Sequence, residues 1–177
     1  MGFFADAGRC DGRHKALPTA IAILPDLFPP NIAVLDFLNG YIEKPGNETI
    51  LDYGCGIGVM LVYLRKLGFV AYGYDDWSQL AKSTAEVFLS AHEEVDCLLS
   101  TDGLECHDFT ILSCVGIHWG CLSEIRRVLE KPSLKYILVD RHYRPESILG
   151  FNQIAEYRGL VTVYQRVAGT EFHEIGG

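Results

Sequence analysis

Residues 50–58 read ILDYGCGIG, and this stretch decides the fold. Ile50 and Leu51 make an aliphatic start to a buried strand, while Gly54, Gly56 and Gly58 at alternate positions forbid that strand from continuing. Glycines in such a turn let the backbone bend sharply and come close to a ligand. The following segment, Val59 to Leu67, reads as a helix ended by Gly68, and FVAYGYD as a second strand, so the whole is a β-α-β unit. Its turn lies at the carboxyl edge of the sheet, where open α/β folds bind ligands, and the helix N-terminus offers unpaired amide donors.

Working outward, LPDLFPPN at 24–31 sets off an N-terminal extension. From Asn31, read as an N-cap, Ile32, Leu35, Leu38 and Ile42 fall at helical spacing, and Pro45 and Gly46 close an amphipathic helix. On the other side, residues 78–91 predict a helix with Leu80, Thr84, Val87, Phe88 and Ala91 on its apolar side. A short strand is expected at Val95–Leu99, a fourth strand at 108–115 (DFTILSCV), a helix at 122–132 stopped by proline, and a fifth strand in LKYILVD. PESILGFNQIAEYRG at 145–159 starts with proline and ends with glycine, which predicts a helix. LVTVYQRV then alternates, with Val161, Val163 and Val167 on one face, and TEFHEI can pair beside it.

This alternation implies an α/β fold: a Rossmann-like, open, mostly parallel sheet of seven strands, or six, with helices on both faces and an antiparallel strand near the C-terminus. Residues 1–45 form a helical extension and 46–177 the ligand-binding domain, within one globular domain overall. At 177 residues the chain is long enough to bury about 70% of the surface its unfolded form exposes.

The formal net charge of −8 argues against a nucleic-acid partner, since phosphate-backbone binding needs clustered Lys and Arg. The basic stretch Gly8 to Lys15 is short and near a terminus. No segment reads as a secretory signal or a membrane span, so a cytoplasmic location is expected. The six cysteines show no C-x-x-C pair. Cys106, His107, Cys114, His118 and Cys121 match no common zinc spacing, so no metal site is expected.

The glycine spacing narrows the ligand. A dinucleotide fingerprint needs G-x-G-x-x-G, and here Val59 stands where its third glycine would fall; G-K-[ST] for a triphosphate is missing too. Asp75, at the end of the second strand, can accept hydrogen bonds from both hydroxyls of a ribose. Asp52 brackets the turn from the other side. It suits a cationic or amino group and would repel a pyrophosphate.

At these residues the sequence resembles the class I S-adenosylmethionine-dependent methyltransferase family. LDYGCGIG matches its first motif, AYGYD its second, STDG its third, and DFTILSCVGIHW, LSEIRRVLEKP and LKYILVD follow in order, so that the resemblance spans residues 48–167. It implies S-adenosylmethionine as cofactor. Gly54, Cys55 and Gly56, with Tyr53 and Gly58 in the same loop, would line its methionine part, and Asp52 would support its ammonium group. Asp75 would hold the ribose hydroxyls. Asp102 would accept from the adenine amino group with Gly103 alongside, and Ser113 and Cys114 would lie near the sulfonium. Where the family usually has an apolar residue after the ribose acid this chain has Asp76, and Trp77 would pack on adenine instead.

For catalysis, His118 is a candidate general base or acceptor-orienting group, or else a helix cap, and Asp140 and His142 at the end of the fifth strand are further candidates. Methyl transfer is an in-line displacement at a sulfonium carbon, so proximity carries much of it and a base serves only a protonated nucleophile. The fourth strand ends in SCVG, without the Asn/Asp-Pro-Pro-aromatic pattern of nucleic-acid amino methylases, the Pro-Cys of cytosine-carbon methylases, or the Asp of metal-dependent catechol-type enzymes. A small organic acceptor is the expected substrate class. Residues 1–45, with Phe3, Phe4, Leu24 and Phe28, would act as a lid, and a homodimer or protein partner is compatible with the acidic surface. Competing readings are non-methylating chemistry on the same cofactor and a non-catalytic cofactor-binding subunit; a hydride-transferring dehydrogenase is disfavoured by the shifted glycine.

Overall fold

The computed structural model describes residues 29–41, 48–77, 81–115 and 125–169. Six strands form one sheet: β1 (Thr49–Tyr53), β2 (Val70–Tyr74), β3 (Ile111–Cys114), β4 (Tyr136–Asp140), β5 (Phe151–Tyr157) and β6 (Val161–Arg166), in the order β2-β1-β3-β4-β6-β5. β2, β1, β3 and β4 are mutually parallel, and β6 runs antiparallel to both β4 and β5. The fold is therefore Rossmann-like α/β, with the antiparallel strand where it is expected. Among the described residues the strand count is six.

Alternation along the strands sorts the core into two layers. Ile50, Ala71, Ile111, Leu138, Val161 and Val163 face α1 (Pro29–Tyr41), α2 (Val59–Lys66) and α3 (Lys82–Ser90), which bury Leu35, Leu38, Leu61, Leu64 and Leu89 in the same cluster. Leu51, Leu112, Ile137, Val139 and Tyr164 face the other way, against Leu104 of α4 (Thr101–Cys106) and Ile125 and Val128 of α5 (Ile125–Leu129). Both sheet faces are thus covered, as the near-continuous apolar runs of β3 and β4 require. Among the described residues no helix is long and apolar enough to cross a membrane.

Four expectations need correction. The segment 145–159 is not a helix: Gly150 takes a left-handed φ of 78°, and Phe151–Tyr157 forms β5, paired with β6 from Phe151↔Arg166 to Tyr157↔Val161 with a register shift between Gln153 and Ala155. The turn between them, Arg158-Gly159-Leu160, has φ of 53° and 65° at its first two residues, and Leu160 N donates to the Tyr157 carbonyl at 3.0 Å, a tight turn that matches strand twist. Cross-strand pairing has overridden the helix-like punctuation. The strand expected at Val95–Leu99 shrinks to a 3₁₀ turn at Val95–Cys97, tied by the Cys97 thiol donating to the Glu94 carbonyl, and a single bridge between Gly73 and Leu98.

Asn31 lies inside α1, which begins at Pro29, and that helix is buried around most of its circumference rather than along one stripe: Ala33, Val34, Leu35, Phe37 and Leu38 are each at most 2% exposed. α3 buries Ala85 and Leu89, while Val87, expected on its apolar side, is 72% exposed. The segment TEFHEI at 170–175 lies outside the described residues.

Candidate active site

The turn after β1 is fastened to the end of β2. Gly54 N and Cys55 N both donate to the Tyr74 carbonyl, at 2.7 and 3.1 Å, and Gly56 N donates to Asp75 Oδ2 at 3.0 Å. The other carboxylate oxygen of Asp75 accepts from Trp77 N at 3.0 Å. The glycine turn and the strand-end acid, expected from the sequence to bracket one ligand, are in direct contact. Trp77 takes a left-handed φ of 58°, a strained conformation for a bulky residue, with its amide fixed by Asp75.

The glycines divide their tasks. A Cβ on Gly56, at φ 53°, would meet nothing within 4 Å, so that position borders open space beside the Asp75 carboxylate. A Cβ on Gly58 would fall 2.8 Å from Leu89 Cδ2, so Gly58 lets α2 start tight against α3. One glycine faces outward and the other serves packing.

Asp52 sits opposite Gly73 on β2 and Ser113 on β3, in the α1/α2/α3 layer, and is 6% exposed. Burial pushes its carboxyl up to about 7; the neighbouring Ser113 hydroxyl opposes the rise and the Asp75 charge adds to it. Ser113 Oγ is itself buried without a hydrogen-bond partner among the described residues, so its influence is that of a nearby dipole rather than a closed bond. A buried carboxyl and an orphan hydroxyl stand side by side at the ends of β1 and β3. This is a polar patch in an otherwise apolar layer, and such groups are satisfied in most folded proteins.

Tyr53 and Cys114 point into the opposite layer. The Tyr53 ring lies 5.1 Å from that of Tyr74, and Cys114 is fully buried. Cys55 is 8% exposed, its thiol only weakly engaged with the Gly56 carbonyl at 3.8 Å. Burial pushes the Cys55 and Cys114 thiols well up, with Asp52 adding to each, so neither is a thiolate at neutral pH.

Asp102 and Gly103 occupy the first turn of α4, where Gly103 N donates to the N-cap Ser100 Oγ at 3.2 Å. Asp102 is exposed. Tyr74 Oη stands 3.5 Å from Thr101 Oγ1, and Leu99 N donates to the Gly73 carbonyl at 2.8 Å, so this helix start lies beside the end of β2. Asp76 is exposed next to Asp75. At the end of β4, Asp140 is 1% exposed and its Oδ1 accepts from His142 N at 2.9 Å, capping a 3₁₀ turn at Arg141–Tyr143; the His142 side chain is exposed. His118 and Trp119 lie outside the described residues.

Among solved structures, the chain is similar to a protein of the NADB-Rossmann superfamily from Streptococcus agalactiae (14% identity, TM-score 0.54, covering 82% of this chain and 71% of that one). It is also similar to magnesium protoporphyrin IX methyltransferase from Synechocystis, described with bound SAM (15% identity, TM-score 0.54, 77% and 78% covered). The fold is that of the class I S-adenosylmethionine-dependent methyltransferases. Ribosomal protein L11 methylase from Lactobacillus delbrueckii subsp. bulgaricus superposes comparably (15% identity, TM-score 0.52, 77% and 78% covered). At this identity the likeness is one of fold. No family model and no curated protein matches the chain.

Sequence reasoning overlooked the charges around the end of β4. RHYR at 141–144 is a compact basic cluster in an acidic chain, and Arg158 joins it from the β5–β6 turn; the dipeptide Arg-Gly at 158–159 was the signal for a hairpin there.

Proposed function

We propose that the protein is an S-adenosylmethionine-dependent methyltransferase acting on a small organic acceptor. The observation that carries this reading is the hydrogen bond from Gly56 N to Asp75, which assembles glycine turn and acid into one cradle with open space beside it. The residues fit the cofactor. Gly54, Cys55, Gly56 and the backbone of Tyr53 would hold its methionine part, with Gly58 shaping the loop, and Asp52, once deprotonated, its ammonium group. Each Asp75 oxygen accepts from one of the protein's own amides and keeps a second lone pair to accept from a ribose hydroxyl. Trp77, beside Asp76, would pack on adenine, and Asp102 with Gly103 would meet the adenine amino group. Ser113 Oγ, buried with no partner among the described residues, would turn its oxygen toward the positive sulfonium, with Cys114 behind it.

When bound, the cofactor supplies a methyl group activated by the adjoining positive sulfur. The chain's part is to align and desolvate the acceptor. Burial keeps the Cys55 and Cys114 thiols protonated, which supports direct in-line transfer over a relay through either one. His118 or His142 would take a proton where the nucleophile carries one; Asp140, with an oxygen committed to His142 N, positions that turn. Residues 1–45 would close over the acceptor as a lid. The protein would act in the cytoplasm, with or without a second copy.

Calorimetric titration with S-adenosylmethionine, S-adenosylhomocysteine and NAD tests the cofactor. Binding of the first two with rejection of NAD is expected, and preference for NAD would overturn the reading. Mass analysis of acceptor mixtures then distinguishes transfer, which adds one methyl group, from a non-catalytic cofactor-binding role.

A further inference from the structure

We propose that the acceptor bears an oxyanion, a carboxylate or a phosphate ester, and that Arg141 and Arg158 receive it at the carboxyl end of β4. The inference deepens the methyltransferase reading and rests on it for the acceptor's place.

The corner is built by the sheet. Arg141 N donates to the Leu160 carbonyl at 2.9 Å, which brings the β5–β6 turn beside the residue that follows β4. β4 lies two strand spacings from β1, about 10 Å across the carboxyl edge, the span of a small acceptor reaching from the Asp52–Ser113 patch. Arg141 and Arg158 are 48% and 54% exposed in their side chains, and so accessible from that edge.

Their partners leave donors to spare. Glu156 is held closely by Arg144, and Arg141 reaches it only at 3.7 Å; its remaining described contact is the Gly159 carbonyl at 3.5 Å. Arg158 meets Asp36 of α1, whose same Oδ2 also accepts from Tyr157 Oη at 2.8 Å. The Asp140 carboxylate is turned inward to the His142 amide. Each guanidinium carries five N–H donors in a fixed fork suited to bidentate oxyanion binding, and most of those on Arg141 remain uncommitted among the described residues.

Stability does not explain the arrangement, because exposed ion pairs contribute little to it. Arg158 also occupies a left-handed conformation (φ 53°) at a turn position that favours Asn, Asp or Gly. That strain places a cation at the corner where a residue of lower cost would close the hairpin.

The test titrates the full chain, with and without S-adenosylhomocysteine, using benzoate, phenyl phosphate and the neutral benzamide. One of the two anions should bind at least tenfold more tightly than benzamide, and whichever prevails identifies the headgroup. Arg141→Gln should weaken that anion about tenfold without moving the unfolding midpoint, Arg141→Lys should restore part of the loss, and S-adenosylhomocysteine affinity should be unchanged in both. Anions that bind no better than benzamide, or affinities indifferent to both Arg141→Gln and Arg158→Gln, overturn the proposal. Arginine-dependent anion binding without S-adenosylhomocysteine binding would leave this corner standing and remove the methyltransferase reading; the reverse pattern removes only the corner.

Discussion

Asp75 accepts the Gly56 amide on one carboxylate oxygen and the Trp77 amide on the other, both at 3.0 Å. The acid thus shapes the turn as well as any ligand in it. Charge-assisted bonds of this kind are worth roughly 1.5–3 kcal/mol each, so losing both in Asp75→Ala should lower unfolding free energy by about 3–6 kcal/mol and weaken S-adenosylmethionine about a hundredfold. Asp75→Asn keeps one acceptor oxygen and should lie between. Urea denaturation and calorimetry on both variants check this; full affinity in Asp75→Ala refutes the ribose assignment.

Gly56 and Gly58 should respond differently to the same added methyl group. Gly58→Ala drives Cβ against Leu89 at a left-handed φ of 89°, and should cost about 2–3 kcal/mol of stability. Gly56→Ala meets no atom and should cost only about 1 kcal/mol, from backbone strain, while cutting cofactor affinity at least tenfold. Thermal unfolding paired with cofactor titration separates the two; equal losses of stability would contradict the division of roles.

The Asp52 carboxyl, raised from 3.8 to about 7, predicts a signed dependence on pH. Between those values the folded state holds a proton that the unfolded chain has released. The stabilising contribution is therefore complete below about pH 4 and is lost as pH rises toward 7, at roughly 1.4 kcal/mol per pH unit. A cationic ligand group favours the deprotonated form, so S-adenosylmethionine affinity should climb as pH passes from 6 to 8. Asp52→Asn should flatten both profiles, and a pH-independent affinity in the parent protein would rule out the ammonium role.

Asp36 joins α1 to the β5–β6 turn through Tyr157 Oη and Arg158, beside an edge-to-face contact of Phe37 with Tyr157 at 5.7 Å. Asp36→Ala should destabilise by about 1–3 kcal/mol. A double-mutant cycle with Tyr157→Phe should give coupling near 1 kcal/mol, whereas additive losses would show that the hydroxyl and carboxylate act independently.

The part of the fold that was legible in the sequence is the part where local chemistry dictates structure. Gly54, Gly56 and Gly58 after Ile50–Leu51 have few alternatives to a strand-turn-helix, and Asp75 ends its strand as the β-α-β reading requires. Residues 145–159 deceived because Pro145 and Gly159 are helix punctuation, whereas Phe151–Tyr157 carries no clean strand alternation to betray its hairpin with β6: Asn152, Gln153 and Ile154 are all exposed. α3 showed the right element with the wrong face, since Ala85 contributes little hydrophobic signal yet is fully buried. The contact of Asp36 with Arg158, 122 positions later, has no signature that a single chain displays.

The register shift between Gln153 and Ala155 bears on how copies of the protein could meet. A regular border strand offers evenly spaced amides and carbonyls that another chain can zip onto. In β5 that spacing is broken midway, with Glu156 nearby adding charge, so a passing strand would find only half a template. Self-association, where it occurs, should therefore avoid the β5 border of the sheet.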